Sequence, residues 1–359
     1  MKLEMSGRLS APGRSRNSSS RKHKHDTGGK QMRFTGFAAM AAAALIAGTA
    51  LVAPAAAEDR KDWPSEITIG TASQGGTYFV YGNGLAAFIG EALKVNASGE
   101  VTGGPVQNAT LVQTGEHAIG LMTMGPAREA WTGKSELAPG LEHSELRALF
   151  PMYMTPFQGI AMTGSGVGSV TELGGKRVAV GPAGGTPGTY WPRFLETLGV
   201  KADVSYAGAS DAAGQLKDGL IDGFVFAAGV PISAFSQLAA EADVKMFGFT
   251  DAELARLLEA HPEVSALTIP AGTYPGHDYP QNTVAMWNFA VVHADMPDSL
   301  AYEIVKLVME NNDRMRQIHA SAADTVLENV DKNGFLPFHP GAVRYYEEKG
   351  LVIRDGLKG

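Results

Sequence analysis

The sequence predicts an α/β protein built as two lobes, each with a parallel or mixed sheet flanked by helices, and with a ligand cleft between the lobes. The main observation is that one order of strand, Gly-rich loop and helix is written twice along the chain. In both copies strands alternate with helices, which is typical of parallel sheets. The chain has 359 residues, of which 44% are hydrophobic and 19% charged. It is therefore long enough for two globular domains, and disorder throughout is excluded.

The first copy begins with a short strand over 67–70 that ends in Gly. A Gly/Ser/Thr loop follows over 71–77, and apolar residues at helical spacing predict a helix from about Tyr78. A second helix ends at Gly115 and is followed by an apolar strand over 118–124. This order predicts a unit of strand, helix, strand, helix and strand.

The second copy repeats this order, with a strand over 177–181, a loop over 182–189 and a helix that carries Phe194. Another helix ends at Gly219, and an apolar strand starts at Ile221. In parallel sheets, ligands lie beyond the carboxyl ends of strands and against helix N-termini. Two facing units therefore predict a cleft between two lobes. The alternative is that both loops are ordinary turns of one large sheet.

The rest of the chain is predicted to add helices and one buried strand. Thr250 and Glu253 form the pattern of a capping box. Asp295 precedes a helix that is expected to carry Pro297 in its first turn. A buried strand is predicted over 285–293 and a loop over 268–282.

The N-terminus predicts export. Residues 1–57 contain a basic segment and then an Ala-rich apolar run, which ends in three alanines before Glu58. This pattern is typical of a secretory signal peptide that is removed by cleavage near Ala57–Glu58. A transmembrane anchor is the alternative, because the run is about long enough to span a bilayer. The small residues at its end favour cleavage.

Charge and cysteine content exclude several classes of protein. The whole chain has a net charge of −7, and residues 1–57 hold nine Lys/Arg against two Asp/Glu, so the remainder carries −14. Such an acidic protein is a poor candidate for binding nucleic acid or anionic membranes. The chain has no cysteine, which excludes disulfides, thiolate metal sites, a Cys nucleophile and a lipid-modified Cys. No lipid anchor is therefore expected.

Motifs for chemistry are missing from the expected cleft. The run at 132–135 resembles the end of a phosphate-binding loop, but Arg128 stands where that motif needs Gly. The seven histidines after residue 57 are scattered, with no pair at metal-ligand spacing. The loops hold neutral hydrogen-bonding groups and backbone amides instead, which suit an anion held without reaction. We therefore predict no catalytic residue, no metal and no cofactor.

Several segments, in order, resemble the TAXI family, the extracytoplasmic solute receptors of tripartite ATP-independent periplasmic (TRAP) transporters. They are Ile69-Gly70-Thr71, Gly75-Gly76-Thr77-Tyr78, Asn108 ahead of Leu111, the run 178–182, Ile221-Asp222 before Phe224, the run 269–276, and the ending from His339 to Tyr346 and on through Gly350-Leu351. The resemblance runs from about Ile67 to Leu351, and it implies a type II-like periplasmic-binding-protein fold. It also implies a periplasmic receptor, not an enzyme, that delivers a small carboxylate to the membrane permease subunits of a TRAP transporter. The expected ligand is a glutamate-like amino acid, a dicarboxylate or a 2-oxoacid, and the receptor is expected to be a monomer.

One segment departs from that family. The loop 184–188 lacks the Ser and the Arg that the family commonly has there, and Pro187 removes a backbone donor. Arg193 in the following helix is a candidate to replace the missing charge. The ligand is therefore not assigned as glutamate.

The cleft is expected to hold the ligand's carboxylate on backbone N–H groups and hydroxyls, and to close over it by hinge motion. The expected ligand-binding residues are Ser73, Gly76, Thr77, Tyr78, Asn108, Gly185, Thr186, Thr189, Tyr190, Phe226, Ala228 and Gly229. Packing is the alternative role for Tyr78 and Tyr190, and a helix N-cap for Asn108. For Thr77 and Thr186, capping and ligand binding are compatible.

The chain must cross between the lobes twice, and the predicted crossings divide it into 58–156, 157–249 and 250–359, with the last part returning to the first lobe. Two other functions share this scaffold. One is the substrate-binding protein of an ATP-driven (ABC) importer, which differs only in its membrane partner. The other is an enzyme on the same bilobal scaffold.

Overall fold

The computed structural model describes residues 60–359. The predicted signal peptide and its cleavage point lie outside this range. Within it, no helix combines the length and the apolar character that a membrane crossing requires.

The described chain alternates strands and helices. The strands are β1 (Glu66–Gly70), β2 (Asn96–Glu100), β3 (Ile119–Thr123), β4 (Leu146–Met162), β5 (Arg177–Ala179), β6 (Asp203–Ser205), β7 (Gly223–Ala227), β8 (Val244–Phe247), β9 (Ser265–Ile269) and β10 (Gln281–His293). The helices are α1 (Thr77–Leu93), α2 (Pro105–Gln113), α3 (Met124–Trp131), α4 (Thr186–Leu198), α5 (Ala209–Lys217), α6 (Ser233–Glu241), α7 (Asp251–Ala260), α8 (Asp298–Glu310), α9 (Asn312–Ile318) and α10 (Pro340–Glu348).

Both repeated units form as predicted, since β1 leads through its loop into α1 and β5 leads through its loop into α4. The capping box before α7 is present, with the Thr250 hydroxyl accepting from the Glu253 N–H and the Glu253 carboxylate accepting in return from the Thr250 N–H. Two details were wrong. Pro297 is the N-cap of α8, outside its first turn. The predicted loop over 268–282 is shorter, because its ends pair as β9 and β10.

The strands form one sheet in the order β2-β1-β3-β10-β4-β7-β5-β6, with β9 also on β10 and β8 on β4. Pairing is parallel among β1, β2 and β3 and among β5, β6 and β7, whereas β10 and β4 run antiparallel to their neighbours. The predicted α/β class is confirmed. The two predicted sheets are continuous with each other, because the 17-residue strand β4 belongs to both.

The sheet has two halves, each with its own core. The first half consists of β1–β3 and the parts of β4 and β10 that pair beside them. The second half consists of β5–β9 and the remaining parts of β4 and β10. In the first half, α1, α8 and α10 bury residues such as Leu85, Ile304 and Tyr346 in one cluster. In the second half, Trp191 and Phe194 of α4 pack on Phe157, with the two Phe ring centroids 4.8 Å apart.

The chain passes between the halves along two neighbouring strands. β4 pairs with β10 as far as Pro156, and from Phe157 onward it pairs with β7. Ala285 of β10 lies opposite Pro156 and is also the last residue of β10 that pairs with β9. Both strands therefore exchange partners at the same rung of the sheet, which we call the junction. The predicted lobe boundaries at 156–157 and 249–250 stay predictions, because they concern bodies that move against each other.

We expect Gly159→Ala to destabilise the sheet beside the junction. Gly159 pairs with Val225 on one side and Phe247 on the other, and a Cβ at this position would lie 2.1 Å from the Phe247 ring. Because the neighbouring strands β7 and β8 both belong to the core, the clash cannot be relieved easily, and the free energy of unfolding should fall by about 1–3 kcal/mol.

Chemical denaturation measures this loss, and Gly164→Ala is the matched control. No atom lies within 4 Å of a Cβ built on Gly164, so its unfolding free energy should change by less than about 0.5 kcal/mol. Equal losses in both variants would contradict the packing argument.

Candidate ligand-binding site

A small cavity of about 30 Å³ lies between the two halves, beyond the carboxyl ends of β1, β3, β5 and β7. It has room for one or two water molecules. Its lining comes from both halves: Ala72, Ser73, Gly76, Thr77, Tyr78, Pro105, Thr123 and Thr155 from the first, and Pro182, Gly185, Thr186, Pro187, Phe226, Ala227 and Ala228 from the second.

Two helices start at the cavity with the same local geometry. The N-cap of α1 is Gly76 (φ −90°, ψ 162°) and that of α4 is Gly185 (φ −89°, ψ 156°). Neither helix has a side-chain cap, and the first N–H groups of a helix have no partner within the helix. Thr77 and Thr186 follow these glycines as the first helical residues, so the N-cap position expected for them was wrong. The uncapped N–H groups give both helix starts hydrogen-bond donors at the cavity.

A third helix start meets them. The N–H of Val106 in α2 donates to the carbonyl of Gly184 at 3.2 Å. The N-cap of α2 is Gly104, also without a side-chain cap, and a Cβ on Gly104 would lie 2.8 Å from the Cα of Gly185. Gly104 has φ +110°, which side chains rarely adopt, so the close approach requires glycine there. Three positive helix ends thus converge on one small space.

Two threonines join the halves in opposite directions. The hydroxyl of Thr77, from the first half, donates to the carbonyl of Gly229 at 2.5 Å. The hydroxyl of Thr186, from the second half, lies 2.6 Å from that of Thr123 at the end of β3. Each of these helix starts is therefore tied to the end of a strand in the other half.

Asn288 of β10 organises the first-half wall of the cavity. Its side-chain oxygen lies 2.5 Å from the Tyr78 hydroxyl, 3.0 Å from that of Thr123 and 3.1 Å from that of Thr155. Its amide nitrogen donates to the carbonyl of Tyr153 at 2.6 Å. Asn288 is fully buried, so it positions the three hydroxyls from behind without lining the cavity itself.

Tyr78 acts as a neutral hydroxyl at this wall. Burial raises the pKa of Tyr78 far above its usual value, although the hydrogen bond with Thr123 opposes this shift. The phenol therefore stays protonated throughout the physiological pH range. Within residues 60–359, none of the residues that line the cavity has a charged side chain, and no cluster of metal-ligating side chains is present.

Charges meet at the rim of the cleft instead. Arg193 of α4 contacts Glu129 of α3 at 2.5 Å and Glu136 at 2.7 Å, across the two halves. The Tyr190 hydroxyl donates to the same Glu129 at 3.0 Å. Burial alone would lower the pKa of Arg193, but the hydrogen bonds to the two carboxylates raise it above its usual value. Arg193 does not line the cavity, so its candidate role in place of the Arg that the loop 184–188 lacks stays a prediction.

Backbone contacts join the halves on the other side of the cavity. The Ser73 hydroxyl accepts from the N–H of Ala209 at 3.2 Å. The carbonyl of Gln74 accepts from Ser210 at 3.2 Å, and the carbonyl of Gly75 accepts from Ala234 at 3.1 Å. The loop 71–77 thus contacts the starts of α5 and α6 in the second half.

Eight of the twelve residues expected to bind ligand line the cavity: Ser73, Gly76, Thr77, Tyr78, Gly185, Thr186, Phe226 and Ala228. The other four lie nearby in different contacts. Asn108 is fully buried and donates to the carbonyls of Gly70, Thr71 and Leu121. Thr189 bonds within α4, and Tyr190 packs on Phe157 while donating to Glu129. Gly229 accepts from Thr77.

Sequence reasoning missed several parts of the site. The missed lining residues are Ala72, Pro105, Thr123, Thr155, Pro182, Pro187 and Ala227. The sequence contained a usable signal for Thr123, because this residue ends an apolar strand directly before a helix. It also contained one for Asn288, which is a lone amide inside an otherwise apolar buried run. It contained no signal for Thr155, because this residue lies within the longest described strand and reaches the site only through strand pairing.

Comparison with solved structures finds several that are similar to this chain. MatC from Rhodopseudomonas palustris, solved with bound malate, is similar over 75% of this chain and 94% of its own, with 14% identity and a TM-score of 0.53. The periplasmic binding protein BugD is similar over 71% of this chain and 88% of its own, with 17% identity and a TM-score of 0.49. The GluR0 ligand-binding core with L-glutamate covers 73% of this chain and 99% of its own, with 13% identity and a TM-score of 0.45. At these identities, the likeness to MatC concerns the fold alone.

Both Gly-rich loops, the helices that follow them and the strands β4 and β10 lie within the region that matches a known family. The family described as NMT1-like matches residues 69–350, from the end of β1 to the turn after α10. Because this match covers most of the sequence, the chain belongs to the NMT1-like family.

Proposed function

We propose that this protein is an extracytoplasmic solute receptor of the TAXI type. It captures a small carboxylate (a glutamate-like amino acid, a dicarboxylate or a 2-oxoacid) between its halves and delivers it to the permease of a TRAP transporter. The observation that carries this proposal is that three helix N-termini without side-chain caps converge on one cavity between two halves of the sheet. The periplasmic location and the monomeric state are part of the proposal.

The helix ends supply the attraction for the carboxylate. Each helix N-terminus carries about half a positive charge and stabilises an anion by about 0.3–1 kcal/mol when exposed, and by up to about 2 kcal/mol when partly buried. Three such ends around one cavity replace the cationic side chain that a carboxylate site often uses. When the halves part, the hydroxyls of Thr77 and Thr186 lose their partners in the other half and become further donors for the ligand.

Ligand capture follows from the contacts between the halves. Thr77 with Gly229, Thr186 with Thr123, and Arg193 with Glu129 form only when the halves meet. A ligand larger than the cavity therefore enters when the halves part, and we propose that they pivot about the junction in β4 and β10. The moving lobes are proposed as 58–156 with 250–359, and 157–249. Ligand contacts to both halves then shift the population toward the closed form.

The motif resemblance favours a TRAP permease as the partner over an ATP-driven importer. The lining of neutral hydroxyls, amides and apolar side chains supports binding over catalysis. Uptake reconstituted with the cognate permease separates the two transport classes. Uptake driven by an ion gradient without ATP supports the TRAP assignment, and a strict need for ATP would replace it.

We expect Thr186→Val to weaken carboxylate binding. Thr186 lines the cavity and its hydroxyl bonds to Thr123 across the halves, so the substitution removes a donor at the site while keeping a side chain of similar shape. A hydrogen bond to a charged group contributes about 1.5–3 kcal/mol, so Kd should rise about 10-fold or more. Calorimetry with a carboxylate found by thermal-shift screening measures the change.

Thr189→Val is the matched control for this substitution. Thr189 lies one turn further along α4, bonds only to the carbonyl of Gly185 and does not line the cavity. Its Kd should stay within about 3-fold of the unmodified protein, a difference of less than about 0.7 kcal/mol. Equal weakening in both variants would show that α4 acts through its stability and would remove Thr186 from the site.

We expect Arg193→Gln to favour the open form. The substitution removes two ion pairs between the halves without touching the cavity wall. Affinity should fall about 3- to 10-fold, since partly exposed ion pairs contribute about 1 kcal/mol each at most. Small-angle X-ray scattering should give a larger radius of gyration without ligand, and high salt should reduce the difference between variant and parent.

Arg177→Gln controls for the loss of an arginine. Arg177 bonds to Asp222 within the second half, so its removal should alter stability but neither affinity nor radius of gyration. If Arg193→Gln left scattering and affinity unchanged, the rim ion pairs would have no part in closing.

A further inference from the structure

The backbone at the cavity presents donors, while seven of the carbonyls around it each already accept a hydrogen bond. The carbonyls around the cavity accept as follows: Ser73 from Gly76, Gln74 from Ser210, Gly75 from Ala234, Pro182 from Gly185, Gly184 from Val106, Phe226 from the Trp191 indole, and Gly229 from the Thr77 hydroxyl. The helix-start N–H groups of α1 and α4 have no side-chain cap. A bound group that accepts hydrogen bonds is therefore favoured over one that only donates.

The electrostatic potential points the same way. An ammonium group has three N–H donors, no acceptor and a full positive charge. In this cavity it would lie among three positive helix ends, beside a wall whose side chains are hydroxyls, alanines, prolines and one Phe ring. Such a charge loses its hydration on entry and gains no carboxylate partner from the lining, so its burial is unfavourable.

A hydroxyl or oxo group in the same place carries no positive charge to bury, and it can accept hydrogen bonds. The wall hydroxyls of Tyr78, Thr123, Thr155 and Thr186 lie within one hydrogen-bonded network around Asn288. The Thr186 hydroxyl and the first N–H groups of α1 and α4 can donate to a ligand hydroxyl or oxo group, and the other wall hydroxyls, whose protons point to Asn288, can accept from a ligand hydroxyl.

Building on the proposed function, we infer that the ligand is a small carboxylate that carries a hydroxyl or oxo group where an amino acid carries its ammonium group. The site thus selects hydroxy acids and oxoacids, and it rejects amino acids of the same carbon skeleton. Among the three ligand classes of the proposed function, this removes the amino acids.

The test compares acids that differ only at this group. L-malate is matched with L-aspartate, L-2-hydroxyglutarate with L-glutamate, and L-lactate with L-alanine, each by calorimetry on the purified protein at neutral pH. We expect one hydroxy acid to bind at least about 10-fold more tightly than its amino partner. An amino acid that binds as tightly as its hydroxy partner, or more tightly, overturns the inference and leaves the receptor function standing. If no acid in the panel and no related 2-oxoacid binds, both the inference and the proposed function fail.

A substitution in the wall tests the cause. Ser73 lines the cavity and accepts from Ala209, a role that the side-chain oxygen of Asp or Asn also fills. Ser73→Asp adds the missing partner for an ammonium group, and it should reduce the preference for the hydroxy acid at least about 10-fold. Ser73→Asn, which is similar in shape but neutral, should keep that preference. If both variants keep it, or both lose it equally, charge at the wall does not set the selectivity and the inference is overturned.

Discussion

The exchange of strand partners at one rung of the sheet is the constraint on which the other features depend. β4 leaves β10 for β7 after Pro156, and Ala285 directly opposite is where β10 leaves β9. The two strands change partners side by side. On each side of this junction, backbone hydrogen bonds between strands hold one half of the sheet together. The other contacts between the halves described above are loop contacts or side-chain contacts at the cavity and its rim. The sheet thus supports each half, and the proposed motion would change the space between them.

Glycine at the helix starts connects this architecture with the chemistry of the site. A Ser, Thr, Asn or Asp cap at Gly76 or Gly185 would stabilise its helix by about a few tenths of a kcal/mol relative to glycine. At Gly104, φ +110° disfavours any such side chain. None of the three helices that border the cavity has a side-chain cap. Two consequences follow. The loops approach closely, as with Gly104 against Gly185, and the first N–H groups of α1 and α4 stay free for a bound group, whereas the N–H of Val106 in α2 donates to Gly184. Local helix stability is reduced where an anion would restore it.

The parts of this arrangement that local patterns encode were predictable from the sequence, and the parts that depend on strand pairing were not. The two Gly-rich loops and the helices α1 and α4 follow from short-range periodicity, so eight cavity residues were found in the loops and at strand ends. Asn288 and Thr155 are 133 residues apart and meet only because β4 and β10 pair. Asn108 shows a different difficulty. An amide after a Gly-rich turn is typical of a cap or a ligand contact, but here three backbone carbonyls from two segments, at the ends of β1 and β3, accept from its nitrogen.

Charge is separated from the cavity in this fold, and in the proposed mechanism this separation divides binding from closing. The ion pairs of Arg193 lie at the rim, where they would act on the distance between the halves, while the cavity itself has helix ends and hydroxyls, which carry no full charge. An arginine inside the cavity would hold a carboxylate strongly whether the halves were open or closed. Helix ends from both halves would act together only when the halves meet, because α1 and α2 belong to the first half and α4 to the second. Under the proposed function, the attraction for an anion would therefore grow as the cleft closes, so that ligand and closure would favour each other.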